Sequence, residues 1–73
     1  MYSNIKAELA RMNIDHKQVA IMLEISSVSF TNKLYGRTPW RKSEIDFLIK
    51  FIGKDYSYLF FEDKLTDGTF LEE

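Results

Sequence analysis

The sequence predicts an all-α protein, a compact bundle of about five short helices within one domain. Apolar residues recur three and four positions apart along most of the chain, and this spacing places them on one face of a helix. The chain has 73 residues, which is enough for a single hydrophobic core. Short segments separate the periodic stretches and carry residues that begin or end helices. Helices joined by such short segments pack as a bundle.

The first two helices are predicted from apolar spacing and from a capping signal. Residues 3–12 form the first helix, whose inward residues are Ile5, Leu9 and Met12. The second begins after Asp15, because an aspartate there can accept a hydrogen bond from a backbone N–H of the first turn. Gln18 stands three residues later and completes a capping box. This helix runs to about residue 24, and its inward residues are Val19, Ala20 and Leu23.

The third helix is predicted over residues 27–35. Ser26 precedes it and can cap it in the same way. Phe30 and Leu34 lie four residues apart, which puts both on one face. Gly36 follows, at the point where a helix C-terminus favours a residue that tolerates positive φ. The third helix is therefore expected to end in a glycine turn.

A loop and two further helices complete the pattern. Pro39 forces Thr38 into extended backbone, so a loop follows the third helix. The fourth helix is predicted over residues 42–52 and ends at Gly53. Its inward residues are Ile45, Leu48, Ile49 and Ile52. Residues 56–61 are rich in aromatic side chains and form one or two final helical turns.

Charge is distributed unevenly along the chain. Residues 1–54 carry nine Lys and Arg against five acidic residues, a net +4, whereas residues 55–73 carry one Lys against six acidic residues, a net −5. Residues 33–42 contain four cations and no acid, which suits a polyanion but also describes an ordinary solvated loop. The chain therefore divides into a domain, residues 1–61, and an acidic C-terminal tail, residues 62–73, that is either flexible or part of a dimer contact.

Composition argues against several classes of protein. The chain has no Cys and one His, so we expect neither a disulfide nor a metal site. Three glycines form no phosphate-binding loop, and no nucleophile, base and orienting residue stand at usable spacing, so we expect no enzyme and no cofactor. Apolar runs fall far short of the ~20 residues that span a bilayer, and Met1-Tyr2-Ser3 does not open a signal peptide. A cytoplasmic location is expected.

The predicted helices at residues 15–24 and 27–35 carry the functional signal. Two short helices joined by a tight turn, with a small residue where they cross, are the helix-turn-helix arrangement. Ala20 is that small residue, and Leu23 with Ile25 fills the angle between the helices. The outer face of the second helix consists of Ser27, Val28, Ser29, Thr31, Asn32 and Lys33. Such a small and polar face can enter the major groove of DNA.

At these residues the chain resembles the lambda repressor and Cro family, the Xre-type helix-turn-helix proteins. Residues 14–26, which read Ile-Asp-His-Lys-Gln-Val-Ala-Ile-Met-Leu-Glu-Ile-Ser, are similar to the family's first motif helix and its Ile-Ser turn. Residues 29–37 resemble its recognition helix with the Leu-x-Gly-Lys/Arg ending, and residues 40–61 resemble the last helices of small phage Cro-like regulators. The resemblance covers about residues 3–61. It departs at Glu24, where the family usually has a glycine.

The resemblance implies which residues contact DNA. Base edges would be read by Ser27, Val28 and Asn32, since asparagine suits a bidentate contact with adenine and valine suits a thymine methyl group. Phosphates would be bound by a larger set of residues that fixes the register without reading sequence. This set is His16, Lys17, Ser29, Lys33, Tyr35, Arg37, Thr38, Arg41 and Lys42.

The leading hypothesis is a transcriptional regulator of phage or prophage type, most simply a repressor, that occupies a double-stranded DNA operator as a homodimer. The operator would be an inverted repeat with half-sites about 34 Å apart. Phe61 and Phe70 are assigned to the dimer interface, because DNA would repel the acidic tail. The alternative is a protein-interaction module on the same fold, such as an antirepressor or antitoxin-like regulator, which Ile21 and Met22 outside the predicted core face favour. Neither a membrane nor a small-molecule effector is expected.

Overall fold

The computed structural model describes residues 1–62 and contains five α-helices and no strand within that range. The helices are α1 (Ser3–Arg11), α2 (His16–Leu23), α3 (Ser27–Leu34), α4 (Lys42–Ile52) and α5 (Tyr56–Leu59). Each coincides with a predicted helix, and the two sets of ends differ by two residues or fewer. The predicted all-α bundle is therefore confirmed. Within the same range, no helix has the length and apolar composition needed to cross a lipid bilayer.

Two helices begin at the capping residues that the sequence predicts. Asp15 Oδ1 accepts from the Gln18 N–H at 2.9 Å, and Gln18 Oε1 accepts from the Asp15 N–H at 3.0 Å. Ser26 Oγ accepts from the Ser29 N–H at 3.0 Å. Each contact satisfies a backbone N–H that has no partner inside a helix. The predicted capping box of α2 and the predicted cap of α3 are thus confirmed.

Left-handed residues stand at the ends of the first four helices. Gly36 and Gly53 follow α3 and α4, each with a φ of 80°. Asn13 follows α1 with a φ of 61°, and Glu24 ends α2 with a φ of 62°. Asparagine tolerates this region better than glutamate does, so Glu24 holds the more strained backbone. Glu24 thus adopts the left-handed backbone that glycine, the usual residue of the resembling family at this position, adopts without strain.

The hydrophobic core lies where the helices meet. Its buried apolar residues are Ile5, Leu9, Val19, Ala20, Phe30, Leu34, Leu48 and Leu59. α2 packs against α3 more extensively than any other two of the helices do, and α1 also packs against α3. α3 therefore packs against both α1 and α2.

Aromatic rings extend this core beside the loop between α3 and α4. The Trp40 ring centroid lies 5.9 Å from that of Tyr2, 5.8 Å from that of Phe30 and 5.5 Å from that of Phe60. All three pairs meet edge to face, which is a favoured geometry for aromatic rings. Trp40 therefore packs against the core, and its ring holds the loop that carries it.

Two residues predicted to face the core lie elsewhere. Met12 caps the C-terminal end of α1 and is exposed, and Ile45 is half-buried and lies outside the core cluster. α4 buries Glu44 with Leu48 instead. Glu44 faces inward because it pairs with Lys33 of α3. A helix turns by about 100° per residue, so an inward Glu44 leaves its neighbour Ile45 at the edge of the buried face.

The two ends of the described chain lie close together. The Met1 amino nitrogen is 3.8 Å from Glu62 Oε2. A methyl group added at Gly36 would stand 2.6 Å from the same oxygen. Glu62, the first residue of the predicted tail, therefore packs beside the end of α3. The rest of that tail, including Phe70, lies outside the described residues.

Candidate nucleic-acid interface

The candidate interface is built on α2 and α3, which residues 24–26 connect. The backbone N–H of Ile25 donates to the Ala20 carbonyl at 3.0 Å, and that of Glu24 donates to the Ile21 carbonyl. These two bonds close the end of α2 around the left-handed Glu24. Ala20, the small residue expected at the helix crossing, is buried. The turn thus joins α2 to α3 with a single residue, Ile25, between Glu24 at the end of α2 and Ser26 at the cap of α3.

α3 has an inner and an outer face. Its inner face buries Phe30, Lys33 and Leu34. Val28 is 69% exposed, and Asn32, four residues later, is half-buried. Residues four apart share one side of a helix, so these two side chains stand together opposite the core. Ser27, the third residue predicted to read bases, is exposed at the start of the same helix.

Lys33 is buried in an ion pair with Glu44. Its Nζ lies 2.7 Å and 2.9 Å from the two carboxylate oxygens, and the side chains of Lys33 and Glu44 are only 9% and 5% exposed. Glu44 Oε1 also accepts from the Arg41 N–H at 2.8 Å. An ammonium group held in this way has no access to a DNA phosphate. The prediction that Lys33 binds phosphate is therefore wrong, and its charge belongs to the interior.

The exposed charge of the loop is smaller than the sequence implies. Pairing with Glu44 removes Lys33 from the four cations of residues 33–42 and leaves Arg37, Arg41 and Lys42, all of them exposed. These three still lie in one segment between α3 and the first turn of α4. The local positive charge beside α3 is thus reduced but not cancelled.

Arg37 contacts Asn32 of the outer face. Its Nη1 donates to Asn32 Oδ1 at 3.1 Å, and its guanidinium carbon lies 5.1 Å from the centre of the Tyr35 ring. The backbone N–H of Arg37 donates to the Asn32 carbonyl at 2.9 Å. Asn32 and Arg37 are therefore joined through both backbone and side chain.

The other residues predicted to bind phosphate fall at helix starts and in the loop. His16 and Ser29 are half-buried. The exposed ones are Lys17, Tyr35, Thr38, Arg41 and Lys42. The His16 ring packs edge to face on Phe30 with the centroids 5.5 Å apart, so the imidazole is anchored to the core at the N-terminus of α2. The described structure contains no group of three or more potential metal ligands.

Several apolar side chains are exposed away from the outer face of α3. Ile21 and Met22 on α2 are 67% and 44% exposed, and Phe61 after α5 is 62% exposed. Phe47 and Phe51 of α4 stack on each other, with centroids 5.3 Å apart, and pack against the core. The sequence predicts Ile21 and Met22 outside the core face, and that placement is confirmed.

Two pKa shifts belong to other parts of the bundle. The pKa of Glu8 on α1 is lowered by the Tyr58 hydroxyl, which donates to it at 2.8 Å, and then by Arg11. The pKa of Tyr2 is raised by burial and then by the negative charge of Glu62. Both groups contact α5 or the residues that follow it.

No family model, curated protein or solved structure matches the chain. A functional interpretation therefore depends on the side chains themselves. Sequence reasoning placed Lys33 on the outer face of α3, whereas it lies on the inner face, and it missed Glu44 as the partner of Lys33. The local signal at Glu44 indicates only a cap, because Glu44 stands at the third position of α4, where a glutamate can reach back to the preceding backbone N–H.

Proposed function

We propose that the chain is a helix-turn-helix transcriptional regulator that binds double-stranded DNA in a sequence-specific manner. The observation that carries this proposal is the outer face of α3, where Val28 and Asn32 stand together and Arg37 adjoins Asn32. The resemblance to lambda repressor and Cro proteins supports it at the level of sequence. α2, the turn and α3 would then be the motif, with α3 as its recognition helix.

The dimensions and chemistry of α3 suit the major groove. A helix of eight residues is about 12 Å long, and the groove is about 12 Å wide. The carboxamide of Asn32 can accept from adenine N6 and donate to adenine N7, while the Val28 methyl groups can contact a thymine methyl. Ser27 at the start of the helix can bond to several bases. Few bulky groups obstruct this face.

The cations around α3 suit the DNA backbone. Arg41 and Lys42 lie after its C-terminal end, and Lys17 lies in the first turn of α2. Phosphate contacts at both places would hold the register of α3 in the groove. The partial positive charge at the N-terminus of α2 would add to the contact made by Lys17.

The mechanism requires no chemical step. A regulator bound at a promoter excludes polymerase, so occupancy alone gives repression. We propose a homodimer on an inverted repeat, whose half-sites lie about 34 Å apart. We assign Phe61, which is exposed, to the dimer contact.

Selection of bound duplexes from a random pool tests this proposal. A palindromic consensus is expected, and log Kd on the selected duplex should rise with log salt by about 0.9 for each phosphate neutralised. Replacing Lys42 with Ala should reduce that slope by about one. Lys50→Ala, which removes the same charge from the last turn of the same helix, is the matched control and should leave the slope unchanged. If no sequence is enriched in the bound fraction, the proposal of sequence-specific DNA binding is rejected.

A second candidate function is a protein-interaction module on the same fold. The exposure of Ile21 and Met22 favours it. This candidate predicts that Ile21→Ser abolishes the regulatory activity of the protein while Asn32→Ala leaves that activity unchanged. The DNA-binding proposal predicts the reverse pattern, so the two variants separate the candidates.

A further inference from the structure

We propose that Arg37 positions the carboxamide of Asn32 and thereby sets the preference for one base pair. This inference rests on the proposed function, since it assigns to Arg37 a part in reading bases. The sequence alone predicts a different role, in which Arg37 binds phosphate and affects all sequences alike. The two roles predict different results for the same substitution.

The end of α3 brings the two residues together. Gly36 takes the left-handed conformation with a φ of 80°, and its N–H donates to the Lys33 carbonyl at 3.1 Å. The next N–H, that of Arg37, then reaches back to the Asn32 carbonyl at 2.9 Å. This pair of bonds is the Schellman motif, which reverses the chain direction at a helix end. The backbone of Arg37 is thus held against Asn32, which the Arg37 side chain also contacts.

The donor and the acceptor of the side-chain hydrogen bond are fixed by chemistry. A guanidinium group only donates hydrogen bonds, so the group of Asn32 that faces Arg37 Nη1 at 3.1 Å is the oxygen Oδ1. The opposite orientation would place the Asn32 NH₂ group against another donor. The Tyr35 ring, 5.1 Å from the guanidinium carbon, gives Arg37 a second contact on its face. Arg37 therefore favours one of the two orientations of the Asn32 carboxamide.

That orientation matters for reading adenine. A bidentate contact requires the Asn32 oxygen on the side of adenine N6 and the nitrogen on the side of N7. The oxygen has two lone pairs, so a bond from Arg37 leaves one for the base. Without Arg37 the carboxamide can rotate by half a turn, and part of the discrimination against other bases is lost. Asn32 reads the base, and Arg37 is its positioning residue.

A double-mutant cycle on the full chain tests the inference. The probe is the duplex selected from the random pool, together with versions that carry each other base pair at one position. That position is the one at which Asn32→Ala loses its preference, and we expect the loss to be roughly tenfold. Arg37→Ala should lose most of the same preference at the same position. In the Asn32→Ala background, Arg37→Ala should change that preference no further.

Two variants control for charge. Arg41→Ala removes a cation of the same loop that does not contact Asn32, and it should weaken binding to every duplex equally. Arg37→Lys keeps the charge but loses the planar fork, so it should lose part of the base preference while weakening binding to random duplex less than Arg37→Ala does. Circular dichroism checks that each variant is folded, which we expect because Arg37 is exposed.

The outcomes separate this inference from the proposed function. A uniform loss across all duplexes for Arg37→Ala, with the base preference kept, would overturn the positioning role and leave the DNA-binding proposal standing. A preference that survives Asn32→Ala at every position would also overturn it, because Asn32 would then read no base. If the original chain enriches no duplex, both proposals fail together.

Discussion

Glu44 and Glu8 are two buried carboxylates that each join two helices of the bundle, but with different partners. Glu44 of α4 binds Lys33 of α3 through both oxygens and also accepts a backbone N–H. Glu8 of α1 accepts from the Tyr58 hydroxyl of α5 and from Arg11 of its own helix. One contact places α3 against α4, and the other places α5 against α1.

The exposure of the partners separates the two contacts. The side chains of Lys33 and Glu44 are 9% and 5% exposed, whereas those of Arg11 and Glu8 are 65% and 7% exposed. Water can hydrate the Arg11 guanidinium when Glu8 is lost, whereas Lys33 and Glu44 are almost wholly shielded from water by the fold. A charge left alone in the interior is costly. The α3–α4 contact is therefore the more sensitive of the two, and α3 carries the candidate interface.

The largest effect is expected from Lys33→Ala. It leaves Glu44 buried without its cation, which costs about 3–5 kcal/mol of unfolding free energy. A single core of this size rarely supplies more than about 3–5 kcal/mol in total, so much of the population should unfold. Urea denaturation followed by circular dichroism measures the change. Lys50→Ala, an exposed lysine of α4, is the control and should change stability by about 0.5 kcal/mol or less.

The double variant Lys33→Met with Glu44→Leu sharpens this result. It removes both charges and keeps the interior filled, so it should be more stable than Lys33→Ala and close to the original chain. A double variant as unstable as Lys33→Ala would show that the pair contributes packing that apolar residues do not replace.

A smaller loss is expected from Glu8→Ala. The substitution leaves Arg11 in water and Tyr58, which is partly exposed, able to bond to solvent. The free energy of unfolding should therefore fall by less than for Lys33→Ala in the same urea assay. Equal losses for the two variants would contradict the comparison, since they would mean that exposure of the partner does not matter.

The contact at Glu8 should also make stability depend on pH. The Tyr58 hydroxyl and Arg11 hold the pKa of Glu8 below its ordinary value, so the folded chain favours the ionised form. This stabilisation is complete above the unfolded pKa, about 4.3, and is lost as pH falls through the lower folded pKa. Urea midpoints measured below about pH 5 should fall less steeply for Glu8→Gln than for the original chain. Parallel curves would exclude Glu8 as a source of the dependence.

The smallest effect is expected from Tyr58→Phe. It removes one hydroxyl donor, while Arg11 still binds Glu8. The urea midpoint near neutral pH should move only slightly, but the pKa of Glu8, followed by NMR titration of its side chain, should rise toward the ordinary value. A Glu8 pKa unchanged in this variant would assign the shift to Arg11 alone.

Local signals explain why the fold could be predicted from the sequence. Two turns share one pattern, Asn13-Ile14-Asp15 and Glu24-Ile25-Ser26, in which a left-handed residue, a half-buried isoleucine and a capping residue follow in order. Capping residues and glycines act within a few positions of themselves, so periodicity and spacing are enough to locate them. The helices and the outer face of α3 follow from such signals.

The interior charge pair could not be predicted in this way. Lys33 and Glu44 are eleven residues apart, and their contact exists only once α3 and α4 pack. A count of charges along residues 33–42 stops before Glu44, so it assigns Lys33 to the surface. Apolar periodicity likewise favours Ile45 over Glu44 as the buried residue. The contact between Arg37 and Asn32 was also missed, because it depends on how the side chains lie after the turn at Gly36.

The closeness of Met1 and Glu62, whose charged groups are 3.8 Å apart, also bears on how the molecule can be engineered. With residues 63–73 removed, a linker of a few residues between these positions would close the backbone into a ring. Opening that ring in the exposed loop at Thr38 would give a circular permutant with the same helices in a new order. A carrier protein joined directly at Met1 would instead stand beside Gly36 and crowd the end of α3. Immobilisation for binding measurements is therefore better made through an exposed side chain on another helix.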